Sequence, residues 1–145
     1  MKDLLYLKDE QIKEFIQLLY YAYRETFSDP KEVLSKKFFG PAHLRALNLI
    51  ERNPGINLGE LIFKLKVTKQ SLNRVLKDLI KLDLIIFRKD DQDTRIKHIF
   101  LNEKGNKIFN EIFEIQKKRI HSALLNSSSE EVINFDSVLK KIING

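Results

Sequence analysis

The chain has 145 residues, 43% of them apolar, with ten Phe, no cysteine and a formal net charge of +6. That length suits one domain with a real core, and the missing cysteines exclude disulfides, thiolate metal sites and thiol-based redox sensing. No apolar run approaches the ~20 residues of a membrane span, and Met1-Lys2-Asp3-Leu4 has no signal-peptide core, so the expected location is the cytoplasm. The positive balance favours a polyanionic partner without identifying one.

The first helical pattern carries Ile12, Phe15, Ile16, Leu19, Tyr20, Tyr23 and Phe27 on a broad stripe and stops near Ser28-Asp29-Pro30. Lys31 to Phe39 reads as a connection with some helical character. Gly40-Pro41 opens a second helix, glycine at the cap and proline in the first turn. Its apolar positions are Leu44, Leu47, Leu49 and Ile50, and Asn53-Pro54-Gly55 ends it. Asn57 with Glu60 forms a capping-box pattern for a third helix, Leu58 to Leu65. Thr68 caps a fourth.

At about 100° per residue, Leu72, Val75, Leu76, Leu79 and Leu82 of the fourth pattern share one side. Gln70, Asn73, Arg74, Lys77 and Lys81 gather on the other. Amides of this kind pair with adenine, and guanidinium pairs with guanine or a phosphate oxygen. An ordinary solvated face would look the same in isolation. Ser71, at the helix start, suits a phosphate or simple support of the cap. Leu84 to Arg88 and Ile96 to Leu101 read as strands of a β-hairpin around the tip Lys89 to Arg95. A helix-turn-helix followed by such a hairpin is a winged helix, so the expected fold is mainly α with a small β-hairpin wing.

A long helix begins at Asn102-Glu103-Lys104-Gly105, with Ile108, Phe109, Ile112, Phe113, Ile115 and Ile120, and extends towards Leu124. Ser127-Ser128-Ser129 makes a turn, and Ser128 with Glu131 caps a last helix carrying Val132, Ile133, Phe135, Val138, Leu139, Ile142 and Ile143. Phe15, Tyr23, Phe109, Phe113 and Phe135 exceed what a three-helix winged core needs to cover. A single monomeric core is one solution. The reading adopted is a homodimer joined through its terminal helices, since burying each such side chain stabilises by ~1.5–3 kcal/mol.

The chemistry of an enzyme is missing: there is no phosphate-binding glycine loop, metalloprotease helix or nucleophile elbow, and no cofactor is expected. Asp90, Asp91 and Asp93 lack the glycine and distal glutamate of a calcium loop. His43, His98 and His121 lie on different elements with no metal-ligand spacing, so no metal is expected.

The wing Asp90-Asp91-Gln92-Asp93-Thr94-Arg95, followed by Ile99-Phe100-Leu101-Asn102-Glu103-Lys104-Gly105, resembles the MarR family of bacterial transcription regulators. It fits that family's Asp-x-Arg wing and its Leu-Thr-x-x-Gly helix start, with Asn102, an equally good cap, in place of Thr. Gly40-Pro41-Ala42-His43 and Thr68 to Leu76 are similar to an alphaproteobacterial branch of the family. The resemblance covers roughly residues 10 to 143 and is strongest between Asn53 and Gly105.

The resemblance implies one domain over 1–145, with the winged helix-turn-helix at 41–101 and dimerisation helices at 8–29 and 103–143. It implies a homodimer on a pseudo-palindromic site in double-stranded DNA. Thr68, Lys69, Gln70, Ser71, Asn73, Arg74 and Lys77 would serve the major groove, and Arg95, steadied by Asp93, the minor groove. Lys89 and Lys97 would face phosphates, while Arg88 suits a structural ion pair. A narrow minor groove concentrates negative potential and attracts guanidinium. The resemblance also implies a small aromatic effector, for which Tyr20, Tyr23, Arg24, Phe27 and His43 are the candidate pocket; the plainer reading of that group is dimer core. The rival class is a winged-helix protein–protein interaction module with an incidental basic face.

Overall fold

The computed structural model describes residues 4–37 and 39–145. A short 3₁₀ turn at Leu5–Leu7 precedes α1 (Asp9–Ser28), α2 (Lys31–Lys36) and α3 (Pro41–Arg52). Then come β1 (Ile56–Asn57), α4 (Leu58–Leu65), α5 (Lys69–Lys81), β2 (Ile85–Lys89), β3 (Lys97–Leu101), α6 (Glu103–Leu125) and α7 (Ser129–Asn144). The fold is mainly α with a hairpin wing, as the pattern predicts, but the sheet has three strands in the order β1-β3-β2, all antiparallel. The connection after Pro30 is largely the helix α2, so the fourth helical pattern is α5. Phe38, part of that connection, lies outside the described residues, as do Met1 to Asp3.

The chain divides into two compact units, Phe27–Phe113 and Met1–Thr26 with Glu114–Gly145. The first is the winged unit. Its core joins Leu44, Leu47 and Ile50 of α3 to Leu61 of α4 and Leu72 and Leu79 of α5, all buried. Leu84, Ile99 and Ile112 close it. Leu82 departs from its expected place on that apolar face: it ends α5 as the C-cap and stays 38% exposed. Phe109 also departs from the expected surplus, because it is buried in this core.

Local chemistry fixes the turns of this unit. Asn57 Oδ1 accepts the Glu60 N–H (2.9 Å) while Glu60 Oε2 accepts the Asn57 N–H (3.2 Å), starting α4. Lys66 ends α4 in the left-handed region, at φ 51°. Gly55 has φ 86°, and a Cβ there would press on the Phe100 ring. Asn102 caps α6 through Oδ1, which accepts the Gly105 N–H (2.8 Å). Its Nδ2 also donates to the Asp83 carbonyl (2.7 Å), a bond that the hydroxyl of threonine could not make with the same reach. At Gly105 a Cβ would collide with the Leu84 carbonyl oxygen, so no other residue fits without backbone movement.

In the second unit, α7 starts with a capping box: Ser128 Oγ accepts the Glu131 N–H (3.1 Å) and Glu131 Oε1 accepts the Ser128 N–H (3.0 Å). Gln116 is its one buried polar side chain among the described residues and donates to the Thr26 carbonyl (3.1 Å). Neither α1 nor α7 buries a residue within the single chain. Among the described residues, no helix is long and apolar enough to cross a membrane.

Candidate nucleic-acid interface

Thr68 starts α5 as its N-cap, with Oγ1 accepting the Ser71 N–H (3.1 Å) and lying 2.8 Å from Ser71 Oγ. The Ser71 hydroxyl is therefore part of the cap. Because Leu72, Val75, Leu76 and Leu79 are buried, the helix is rotationally fixed, and Gln70, Asn73, Arg74, Lys77 and Lys81 face outward. Lys69 is exposed in the first turn. The only acid of α5, Asp78, accepts from His43 Nε2 (2.8 Å). His43 Nδ1 in turn accepts the Gly40 N–H (3.0 Å) at the start of α3, and Phe39 stacks on the same ring at 4.8 Å. Since a backbone N–H can only donate, the proton of this imidazole sits on Nε2, facing Asp78.

The wing is built from two carboxylates. Asp93 Oδ1 accepts both the backbone N–H and Nε of Arg95, and Oδ2 accepts Nη2, each at 3.0 Å. The bonds from Arg95 hold the Asp93 carboxyl below its usual range, and Asp93 raises Arg95 further above its own. The Arg95 side chain nevertheless stays 89% exposed. Asp90 Oδ2 accepts the N–H groups of Gln92 and Asp93 (3.0 Å each), and Asp90 Oδ1 lies 2.8 Å from His98 Nε2. The bond from His98, then those from Asp93 and Gln92, depress the Asp90 carboxyl, while Asp90 and then the Gly55 carbonyl raise His98.

Helix and wing share one groove of about 340 Å³, where Asn73, Lys77 and Ile80 of α5 meet Phe87, Arg95 and Lys97 of the wing. Lys89 and Lys97 stand directly opposite each other across β2 and β3. Lys97 also lies 6.0 Å from the Phe87 ring. Arg88, expected in an ion pair, instead covers the Phe100 ring at 5.0 Å. Two exposed apolar side chains of the groove, Ile80 (51%) and Phe87 (39%), were not singled out by the sequence pattern, nor was the link between His98 and Asp90. An eight-residue spacing across a hairpin tip was the available signal for that link.

The candidate effector group divides between the units. Tyr20, Tyr23 and Arg24 belong to one, Phe27 and His43 to the other. Arg24 pairs with Glu25 (2.7 Å) and lies over Tyr21 at 4.7 Å. Both polar atoms of His43 are engaged within the winged unit. Among the described residues, no three His, Asp or Glu side chains converge on a possible metal site.

A helix-turn-helix with a one-sided polar second helix and an arginine-tipped hairpin defines the winged-helix class. A family model described as MarR family matches residues 39–96. Over 141 residues, 97% of this chain and 85% of the relative, the sequence is 39% identical to the HTH-type transcriptional regulator PetP of Rhodobacter capsulatus. The chain belongs to the MarR family of helix-turn-helix transcription regulators, and is not an enzyme.

Solved structures agree on the fold. A MarR-family transcriptional regulator from Silicibacter pomeroyi superposes with a TM-score of 0.78 at 18% identity, covering 98% of this chain and 94% of that one. Streptococcus pneumoniae FabT, solved in complex with DNA, gives 0.74 at 17% identity, covering 94% and 96%.

Proposed function

We propose that the chain acts in the cytoplasm as a homodimer on a pseudo-palindromic operator in double-stranded DNA. In this reading α5 lies in the major groove, where Gln70, Asn73 and Arg74 read base edges. Lys69, Lys77, Lys89 and Lys97 hold phosphates, Thr68 and Ser71 fix the helix start, and Arg95, oriented by Asp93, reaches the adjacent minor groove. The observation that carries it is the shared groove, in which outward-facing α5 side chains stand beside Arg95 and Lys97. Lys89 opposite Lys97 adds support: like charges across a ladder are destabilising unless a polyanion offsets them. FabT, similar in fold, was solved with DNA.

The homodimer is supported by the apolar faces of α1 and α7. Phe15 is 46% exposed, Phe135 57% and Ile143 78%, more than a soluble chain leaves in water without a partner. Two-fold symmetry would then set two α5 helices on successive major-groove faces. A small aromatic effector is the remaining part of the proposal, supported by the exposed Tyr20 and Tyr23 rings of α1; titration calorimetry with small phenolic probes tests it.

Selection of bound fragments from a random double-stranded library tests the core of the reading. Enrichment of an inverted repeat is expected. An asymmetric enriched site would reject the symmetric dimer while keeping DNA binding, and no enrichment at all would reject DNA binding.

A further inference from the structure

His98 stands between two groups that can only accept. Its Nδ1 is 2.8 Å from the Gly55 carbonyl oxygen, in the turn between α3 and β1, and its Nε2 is 2.8 Å from Asp90 Oδ1, at the end of β2. A neutral imidazole has one N–H and one lone pair, so it must turn the lone pair on one of these acceptors. Only the imidazolium satisfies both.

We propose that His98 is a positioning residue for the wing: as an imidazolium it clamps Asp90, and through Asp90 the tip that presents Arg95, so that its protonation state sets DNA affinity. The inference rests on the DNA reading above. Asp90 is the hub of the tip. The oxygen not facing His98 accepts the Gln92 and Asp93 N–H groups, and Asp93 in turn holds Arg95. Without the imidazolium, a neutral ring that still donates from Nε2 turns its lone pair on the Gly55 carbonyl oxygen. The bridge to the α3–β1 turn is then broken, and the Asp90 carboxylate beside the phosphate path loses its compensating charge.

The surroundings agree on the charged ring. Asp90 faces it from the tip, and Glu60 of α4 adds a second, more distant negative charge. On the neighbouring strands its partners are Asn57 of β1 and Arg88 of β2. The cations of the adjoining strands are Arg88, whose guanidinium is drawn over the Phe100 ring, and Lys89, which stands opposite Lys97 rather than His98. The bond to Asp90, and after it the bond to Gly55, raises His98 above the ordinary imidazole value. The sign follows: the two-sided, charged clamp is complete below about pH 6.5 and is reduced to a single neutral hydrogen bond as pH rises through the raised value.

The test is a nuclear magnetic resonance titration of the full chain, beside binding of the fragment recovered by random-library selection. The Gln92 and Asp93 amides are expected to shift with the midpoint of the His98 ring and to stop titrating in His98→Gln. Wild-type DNA affinity should fall by about tenfold between about pH 6 and 9, and the His98→Gln profile should be flat over that range. Asp90→Asn should bring the His98 midpoint down towards the ordinary value. Tip amides that stay fixed while His98 titrates, or a His98→Gln profile matching wild type, would overturn the clamp. An unmoved midpoint in Asp90→Asn would do the same. If no fragment is recovered, the DNA reading fails and the amide titration alone still decides whether His98 positions the tip.

Discussion

Asp93 holds Arg95 through three hydrogen bonds, one to its backbone N–H and two to its guanidinium, each at 3.0 Å. The backbone bond fixes where the side chain begins and the forked pair fixes where it points, which lowers the entropy lost when the guanidinium is placed in a narrow groove.

Arg95→Ala is therefore expected to weaken operator binding by about tenfold or more, and to lower the slope of log affinity against log salt by about one. Asp93→Ala should act in the same direction but less, since the cation survives and only its aim is lost. Fluorescence titrations across a salt series measure both. Wild-type affinity and slope in Arg95→Ala would leave the wing a structural hairpin.

Asn73 and Lys77 sit four residues apart on the same exposed face and should fail differently. Asn73→Ala should cost about 1–3 kcal/mol on the selected site and little on random DNA, whereas Lys77→Ala should weaken both alike. Competition binding separates the two patterns. Equal losses on both DNAs for Asn73→Ala would remove it from the base-reading set.

Removing residues 128–145 takes away α7 and its apolar face. The truncated chain should be monomeric or aggregated in light scattering, because the surfaces of α1 and α6 that remain are too apolar to stay apart from one another in water. A well-folded dimer of the truncated chain would move the interface elsewhere.

The capping box of α7 makes a pH-dependent contribution. Ser128→Ala should destabilise by about 0.5–2 kcal/mol, read as a lower urea midpoint at unchanged slope. The Glu131 carboxyl is depressed by the Ser128 backbone N–H and then its side chain. Its share is thus present above the ordinary glutamate range and is lost as pH falls through the lowered value. The gap between Ser128→Ala and wild type should narrow in acid; a gap that widens there would contradict the assignment.

The helix-turn-helix was legible because its signals are local and repeated: the α5 stripe of Leu72, Val75, Leu76 and Leu79, and two side-chain caps at Asn57 and Thr68. β1 was not, since two residues are too few to show alternation and Asn57 serves as both strand partner of His98 and cap of α4. The same limit hid the wing's inner wiring. Asp90 read as one of three tip acids, and only its eight-residue spacing across the tip hints that its partner is a histidine on the opposite strand. Phe109 looked like surplus because a three-helix winged core was expected to need no aromatic ring from the long helix; that helix instead adds Phe109 to the core, while Phe113 stays 42% exposed. Which residues of a long helix a core covers is a tertiary fact, and no window of sequence contains it.

Asp78 gives α5 its remaining asymmetry. Four cations and this single acid make up the charge of the helix, and the acid's carboxylate is engaged by His43 of α3. The outward arc of Gln70, Asn73, Arg74, Lys77 and Lys81 itself carries cations only, so the helix presents a net positive charge to anything approaching from a distance. Diffusional capture of a polyanion is accelerated by such a field and slowed steeply as salt screens it, so salt should be felt first in the rate of arrival and less in how long the complex survives. By engaging Asp78, His43 fixes from within α3 where the one negative charge of the helix lies, beside the cationic arc rather than within it.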